Sequence, residues 1–390
     1  MNAVASYFRE LPRTAADGWN RFWFQPADPA TLALIRILAG LMLLYSHAVW
    51  TLALDDFFGP TPWQSHAAVA AFDRAMAGPG DGAGQGAAQQ DGMGQGGAAE
   101  ADGGRGMEQG RAGGGSVRDA GTFRASYSWS YFDFIDAPPL LYVAHAAALA
   151  VFALITVGLF SRVTSVLAFL IAVSYANRVP GATFGFDDTI VMLAMYLMVG
   201  PCGAAWSVDS WRKNRRSARA GESPRRAGSV SPPVSSRHNF AVPLSISANV
   251  AIRLIQLHMC VIYLFAGLGK LQGAAWWNGT ALWLAFANAE YQTLDMTWLA
   301  DHMLVVALMT HVTVFWEIGF SALVWPRFTR PLVLALALPL HLGIGICLGM
   351  MTFGLAMLIG CLAFVPPSLV RGLFGRAGGS LAERSAHSAG

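Results

Sequence analysis

The residues with chemistry to offer are few, and they sit where charge is expensive. Lys270 stands at the end of an apolar run and completes a seven-residue repeat with Gln256 and Tyr263, while Arg253, Cys260 and Gly267 fill the same helical stripe. Behind it Trp276-Trp277-Asn278-Gly279 reads as an interfacial aromatic anchor. The set Arg36, Gly40, Leu43 and His47 advances by four, three and four residues and shares one face of a second helix. A third run carries Thr310, Thr313 and Glu317, and a fourth carries His341 two residues after Pro339. A polar stretch, Asn177 to Asp188, holds Arg178 and the neighbouring carboxylates Asp187 and Asp188. Ionisable groups inside apolar runs are functional candidates, because they are costly to keep there. The competing reading is structural: Arg36 or Glu317 pairs across helices to fix their packing, Gln256 is likewise a structural polar group, and Lys270 snorkels to water. The histidines and the four cysteines show no metal-ligand spacing, so no metal site is predicted.

What positions these groups is a membrane. Of the 390 residues 54% are hydrophobic and only 13% charged, and the mean hydropathy is +0.44, against roughly a quarter charged in soluble domains. Soluble nucleotide-binding enzymes and secreted disulfide scaffolds are excluded. Apolar runs of spanning length cover Leu32 to Leu54, Pro138 to Phe160, Val163 to Tyr175, Thr189 to Cys202, Val250 to Leu268 and Met303 to Trp325. The last run, Pro331 to Pro366, is too long for one crossing and is predicted to break within Gly349 to Gly354. The expected fold is an all-α polytopic helix bundle of about eight transmembrane helices. The domain reading is a cytoplasmic N-terminal segment at 1–31, a transmembrane domain at 32–367 and a disordered tail at 368–390.

Orientation follows from the basic residues, 24 of which are arginine and two lysine. With eight spans and both termini cytoplasmic, 17 of the 26 fall on the cytoplasmic side, as short-loop charge bias requires. The first external loop, Asp55 to Ala137, holds eleven acids against five arginines. Within it, residues 78–115 contain 16 glycines and read as a flexible, removable insertion. The basic stretch 207–246 reads as a cytoplasmic loop, a topology determinant with affinity for anionic headgroups as the sharper alternative. Its arginines at 212–238 have no interleaved aromatics and give no support for nucleic acid as a partner. No cleaved signal peptide is expected, and the protein is placed in the bacterial inner membrane with the lipid bilayer as its partner.

Taken in order, Arg36-Ile37-Leu38-Ala39-Gly40, Asn177-Arg178 with Asp187-Asp188, Trp206-Ser207-Val208-Asp209, Tyr263 to Leu271 with Trp277 and Gly279, and then Glu317, Arg330, His341 and Phe353 resemble the HTTM (horizontally transferred transmembrane) domain. That domain is the membrane portion shared by bacterial proteins and the vitamin K-dependent gamma-carboxylase. The resemblance implies a quinol of the vitamin K type as cofactor and Lys270 as the base that deprotonates it. Arg36, Asn177, Arg178, Asp188, Tyr263, Trp277 and His341 then bind substrate in an external-side cavity. Where the carboxylase typically carries histidine, this chain carries Arg178. It also ends 24 residues after Pro366, where the carboxylase continues into a soluble region that engages protein. An amphipathic small molecule is therefore the expected ligand, and carboxylation of proteins is not. The alternatives are a non-catalytic accessory, immunity or export factor, and a transporter.

Overall fold

The computed structural model describes residues 2–59, 62–63, 129–135, 137–219 and 242–372. Among these every regular element is helical, and the sole pairing of extended backbone is a bridge between Ala27 and Ser245. The helices are α1 (Asn2–Phe24), α2 (Ala30–Trp50), α3 (Leu54–Phe58), α4 (Pro138–Val157), α5 (Ser161–Arg178), α6 (Gly185–Val199), α7 (Val208–Arg219), α8 (Ile246–Lys270), α9 (Ala274–Trp277), α10 (Ala281–Phe286), α11 (Met303–Leu323), α12 (Arg330–Cys347) and α13 (Met351–Cys361). Five segments are long and apolar enough to cross a membrane: Ala30–Phe58, Pro138–Val157, Ile246–Lys270, Thr297–Leu323 and Arg330–Cys347. The protein is thus a membrane-embedded helical protein. The other three expected spans correspond to α5, α6 and α13. The last two have 15 and 11 residues, which at 1.5 Å per residue fall short of a hydrocarbon core about 30 Å thick.

Local sequence explains the boundaries. Gly158 adopts a left-handed conformation (φ 71°) and ends α4, as C-terminal glycines do. Gly200 and Pro201 stop α6 short of the expected Cys202. Its start at Gly185 takes Asp187 and Asp188 into the first turn, where the helix dipole favours carboxylates. The expected break in the last apolar run falls at Leu348 to Met350, with Gly349 left-handed at φ 72°.

Two segments depart from expectation. The stretch 207–246 is not wholly loop, because Val208–Arg219 is helical; arginine, lysine and alanine are good helix formers whatever their charge. The expected tail begins with a helical turn at 367–372 that Pro367 initiates and Arg371 anchors to Asp28 at 2.6 and 2.7 Å. The glycine-rich insertion 78–115, and the rest of the tail, lie outside the described residues.

Apolar faces close the bundle. On α4, Leu141, His145, Ala148, Phe152 and Ile155 alternate by four and three residues and are all buried. On α2, Arg36, Leu43 and His47 face inward as their spacing requires. Gly40 lies against Thr156 of α4, where an added Cβ would meet the Thr156 backbone at 3.0 Å. The bridge from Ala27 to Ser245 sets the starts of α2 and α8 side by side, so the ends of these helices also share one side of the bundle.

Candidate functional site

Lys270 is the last residue of α8, where a cation complements the helix dipole. One turn earlier Gly267 lets α11 approach closely: a Cβ there would meet the Ile318 amide nitrogen at 3.0 Å and the Glu317 Cβ at 3.1 Å. That contact delivers Glu317 to Lys270. The lysine Nζ donates to Oε1 at 2.9 Å and lies 2.8 Å from Oε2, with side chains 24% and 14% exposed. The Trp276 ring lies 5.3 Å from the ammonium, within cation–π range. Trp277 points away and remains exposed, with Nε1 donating to the Leu271 carbonyl at 2.6 Å. Lys270 and Glu317, one expected as a base and the other as a helix cross-link, therefore form one unit.

About 10 Å along the helix from Lys270, Tyr263 is buried between α8, α11, α12 and α13. Its hydroxyl lies 2.7 Å from His341 Nε2 and 3.4 Å from Cys361 Sγ. Trp316 and Phe320 enclose its ring, with centroids at 4.9 and 4.3 Å. His341 Nδ1 has no partner among the described residues. The expected neighbourhood of Tyr263 and His341 is present, as a direct contact. Gln256 Nε2 donates to the Ala363 carbonyl at 2.7 Å, and its Oε1 accepts from Arg253 at 3.0 Å.

Arg36 is elsewhere. It lies six residues into α2, at the end where α8 begins, and Lys270 closes the 25-residue α8; along the axis the two are separated by roughly 25 Å. The expectation of one cavity lined by both is corrected by this geometry. Arg36 is fully buried, donates from Nη2 to the Trp206 carbonyl at 2.7 Å, and abuts Gly158 and Ser207. Its Nε and Nη1 have no partner among the described residues. Beside it Asp209 accepts from the Phe160 and Ser161 amides at 2.9 and 2.7 Å and from the Ser161 hydroxyl at 2.8 Å, which caps α5.

The Asn177 to Asp188 segment belongs to a third cluster, on the side where α2 ends. Arg178 is buried at the end of α5, and its charge faces that of Asp133. Asn177 donates to the Trp129 carbonyl at 3.0 Å. Asp187 accepts from the Phe184 amide at 3.0 Å, whereas Asp188 is exposed. Sequence reasoning missed the centre of this cluster, His145. Its Nδ1 lies 2.6 Å from the Tyr175 hydroxyl and its Nε2 2.8 Å from Thr51; the buried stripe of α4 was the signal that would have found it. His47 Nδ1 lies 2.8 Å from the Leu43 carbonyl and donates to it, so the neutral ring presents Nε2 as an acceptor. That ring, with Trp50, Tyr175, Thr183 and Asp187, lines a small crevice.

These groups make two kinds of chemistry available. The ion pair offers a donor and an acceptor side by side, and His47 offers one acceptor nitrogen. As it stands Lys270 is a donor with no lone pair, and the base of the pair is the Glu317 carboxylate. Among the described residues no three His, Cys, Asp or Glu side chains gather as a metal set. No family model, curated protein or solved structure matches the chain.

Proposed function

We propose that this is an inner-membrane protein of the HTTM type, with cytoplasmic termini and eight membrane helices of which α6 and α13 are too short to cross the core alone, that binds a quinol or another amphipathic small molecule beside Lys270. The observation that carries the reading is the Lys270–Glu317 pair at the end of α8, largely shielded and flanked by Trp276. A phenolic hydroxyl needs one acceptor for its proton and one donor for its oxygen. Glu317 supplies the first and Lys270 the second, and the ammonium stabilises the charge left on oxygen when the proton moves to the carboxylate. Lys270 itself becomes a base only after passing its own proton to Glu317.

Titrating the purified protein with a short-chain hydroquinone, read by tryptophan fluorescence quenching, tests this reading. Saturable quenching in the parent and at least a tenfold weaker response in Lys270→Met support it. Equal responses in the two proteins overturn it.

A non-catalytic accessory role is the second reading, and the same pair favours it, because it satisfies both charges internally and joins α8 to α11. Under that reading an apolar double replacement, Lys270→Met with Glu317→Leu, retains function in cells. Under the first reading it abolishes function.

A further inference from the structure

At the end of the bundle where α2 and α8 begin, α7 leads away from Trp206 with five basic residues and one acid in twelve. The acid, Asp209, caps the start of α5, and its charge also faces Arg212 without forming an ion pair. Among the described residues no carboxylate forms an ion pair with Arg212, Lys213, Arg215, Arg216 or Arg219. Arg212, Arg215, Arg216 and Arg219 follow the i, i+3, i+4, i+7 spacing and share one helical face; Lys213 lies off it. Two aromatics accompany this face. The Arg215 guanidinium lies 4.3 Å from the Trp211 ring centroid, and that of Arg212 lies 5.9 Å from Phe160. Both rings are exposed, and Phe160 opens an apolar strip along α5 formed by Val163, Val166, Leu167 and Leu170, all exposed.

A basic face with exposed aromatics at the head of an apolar strip matches one occupant, a lipid with an anionic headgroup and acyl chains. We infer that the arginine face of α7, together with Phe160 and the outer face of α5, is a binding site for a single anionic phospholipid. The headgroup phosphate lies against Arg212 and Arg215, and the chains follow α5 from Phe160 to Leu170. Charge alone, retained only to fix topology, requires neither the aromatic contacts nor the strip beneath them. This inference stands apart from the Lys270 proposal, which concerns the other end of α8.

The test is native mass spectrometry of the full chain in detergent, titrated separately with phosphatidylglycerol, phosphatidylcholine and inorganic phosphate. The expected result is a saturable phosphatidylglycerol adduct, at least tenfold tighter than the phosphatidylcholine adduct and undisturbed by excess phosphate. A lysine or arginine near a membrane surface contributes enough for each of Arg212→Gln and Arg215→Gln to weaken the adduct about fivefold, while Lys213→Gln leaves it within about twofold. Val163→Ser with Leu167→Ser, which keeps every charge, should also weaken it. Equal adducts with both lipids, displacement of the lipid by phosphate, or equal loss with Lys213→Gln would each overturn the proposal. Melting curves of the variants separate lost binding from lost fold.

Discussion

Replacing Glu317 by Gln keeps the shape of the side chain and strips the charge from the contact with Lys270. At 2.8 to 2.9 Å and an effective dielectric of about 20, the gross attraction is about 6 kcal/mol. Most of that is offset by the cost of withdrawing both ions from water. Removing one partner of a fully buried pair costs about 3–5 kcal/mol; with the two side chains 24% and 14% exposed, about 2 kcal/mol is expected for Glu317→Gln or Lys270→Met alone. The double replacement Lys270→Met with Glu317→Leu leaves no orphaned charge and should return to within about 1 kcal/mol of the parent, because apolar substitutes for buried pairs are often neutral. Thermal unfolding in detergent, read by fluorescence, measures the four proteins of the cycle, namely the parent, Lys270→Met, Glu317→Leu and their combination. A coupling above about 1 kcal/mol is expected. Additivity within about 0.5 kcal/mol, the behaviour of independent sites, would refute the pairing and with it the donor–acceptor arrangement proposed for a ligand hydroxyl.

Gly158→Ala should cost about 2 kcal/mol or more, because φ is 71° there and the added methyl meets the buried Arg36 guanidinium; the melting temperature checks it. Asp209→Ala removes the three hydrogen bonds that cap α5, an expected loss of about 1–2 kcal/mol in the same assay. Burial raises the pKa of the Asp28 carboxyl, but hydrogen bonds from Arg371 and the Ala30 amide and the charge of Arg371 outweigh it, and the net shift is below the ordinary carboxylate value. Its contribution to stability is therefore full above the unfolded value of about 4 and is lost as pH falls through the lower folded value. Melting curves from pH 6 to 3 should show a loss at the acid end that is smaller in Asp28→Asn.

Periodicity made the faces legible. The four-three-four spacing from Arg36 to His47 and the sevenfold repeat from Gln256 to Lys270 both turn inward, because side chains at 3.6-residue spacing stack on one side of a helix. The pairing of Lys270 with Glu317 was not legible. Forty-seven residues separate them, and the contact depends on the absence of a side chain at Gly267, where α11 leans on α8. The separation of Arg36 from Lys270 follows from counting along two helices that start on the same side, one near its beginning and the other at its end. Grouping Arg36 with Lys270 in one cavity overlooked that count. The helix α7 was hidden by composition, since a run of arginines reads as loop until its spacing is examined. His145 was not among the candidate residues, although the buried stripe from Leu141 to Ile155 already carried it inward to Tyr175.

The central claim is that the Lys270–Glu317 pair holds an amphipathic hydroxylated molecule. Extracting lipid from the purified protein and quantifying quinones by mass spectrometry tests it most directly, with Glu317→Gln and Lys213→Gln purified in parallel. The expected result is a quinone near one per chain in the parent and in Lys213→Gln, and its loss in Glu317→Gln at unchanged yield of folded protein. Quinone at background in all three proteins, or equal amounts in all three, would contradict the claim.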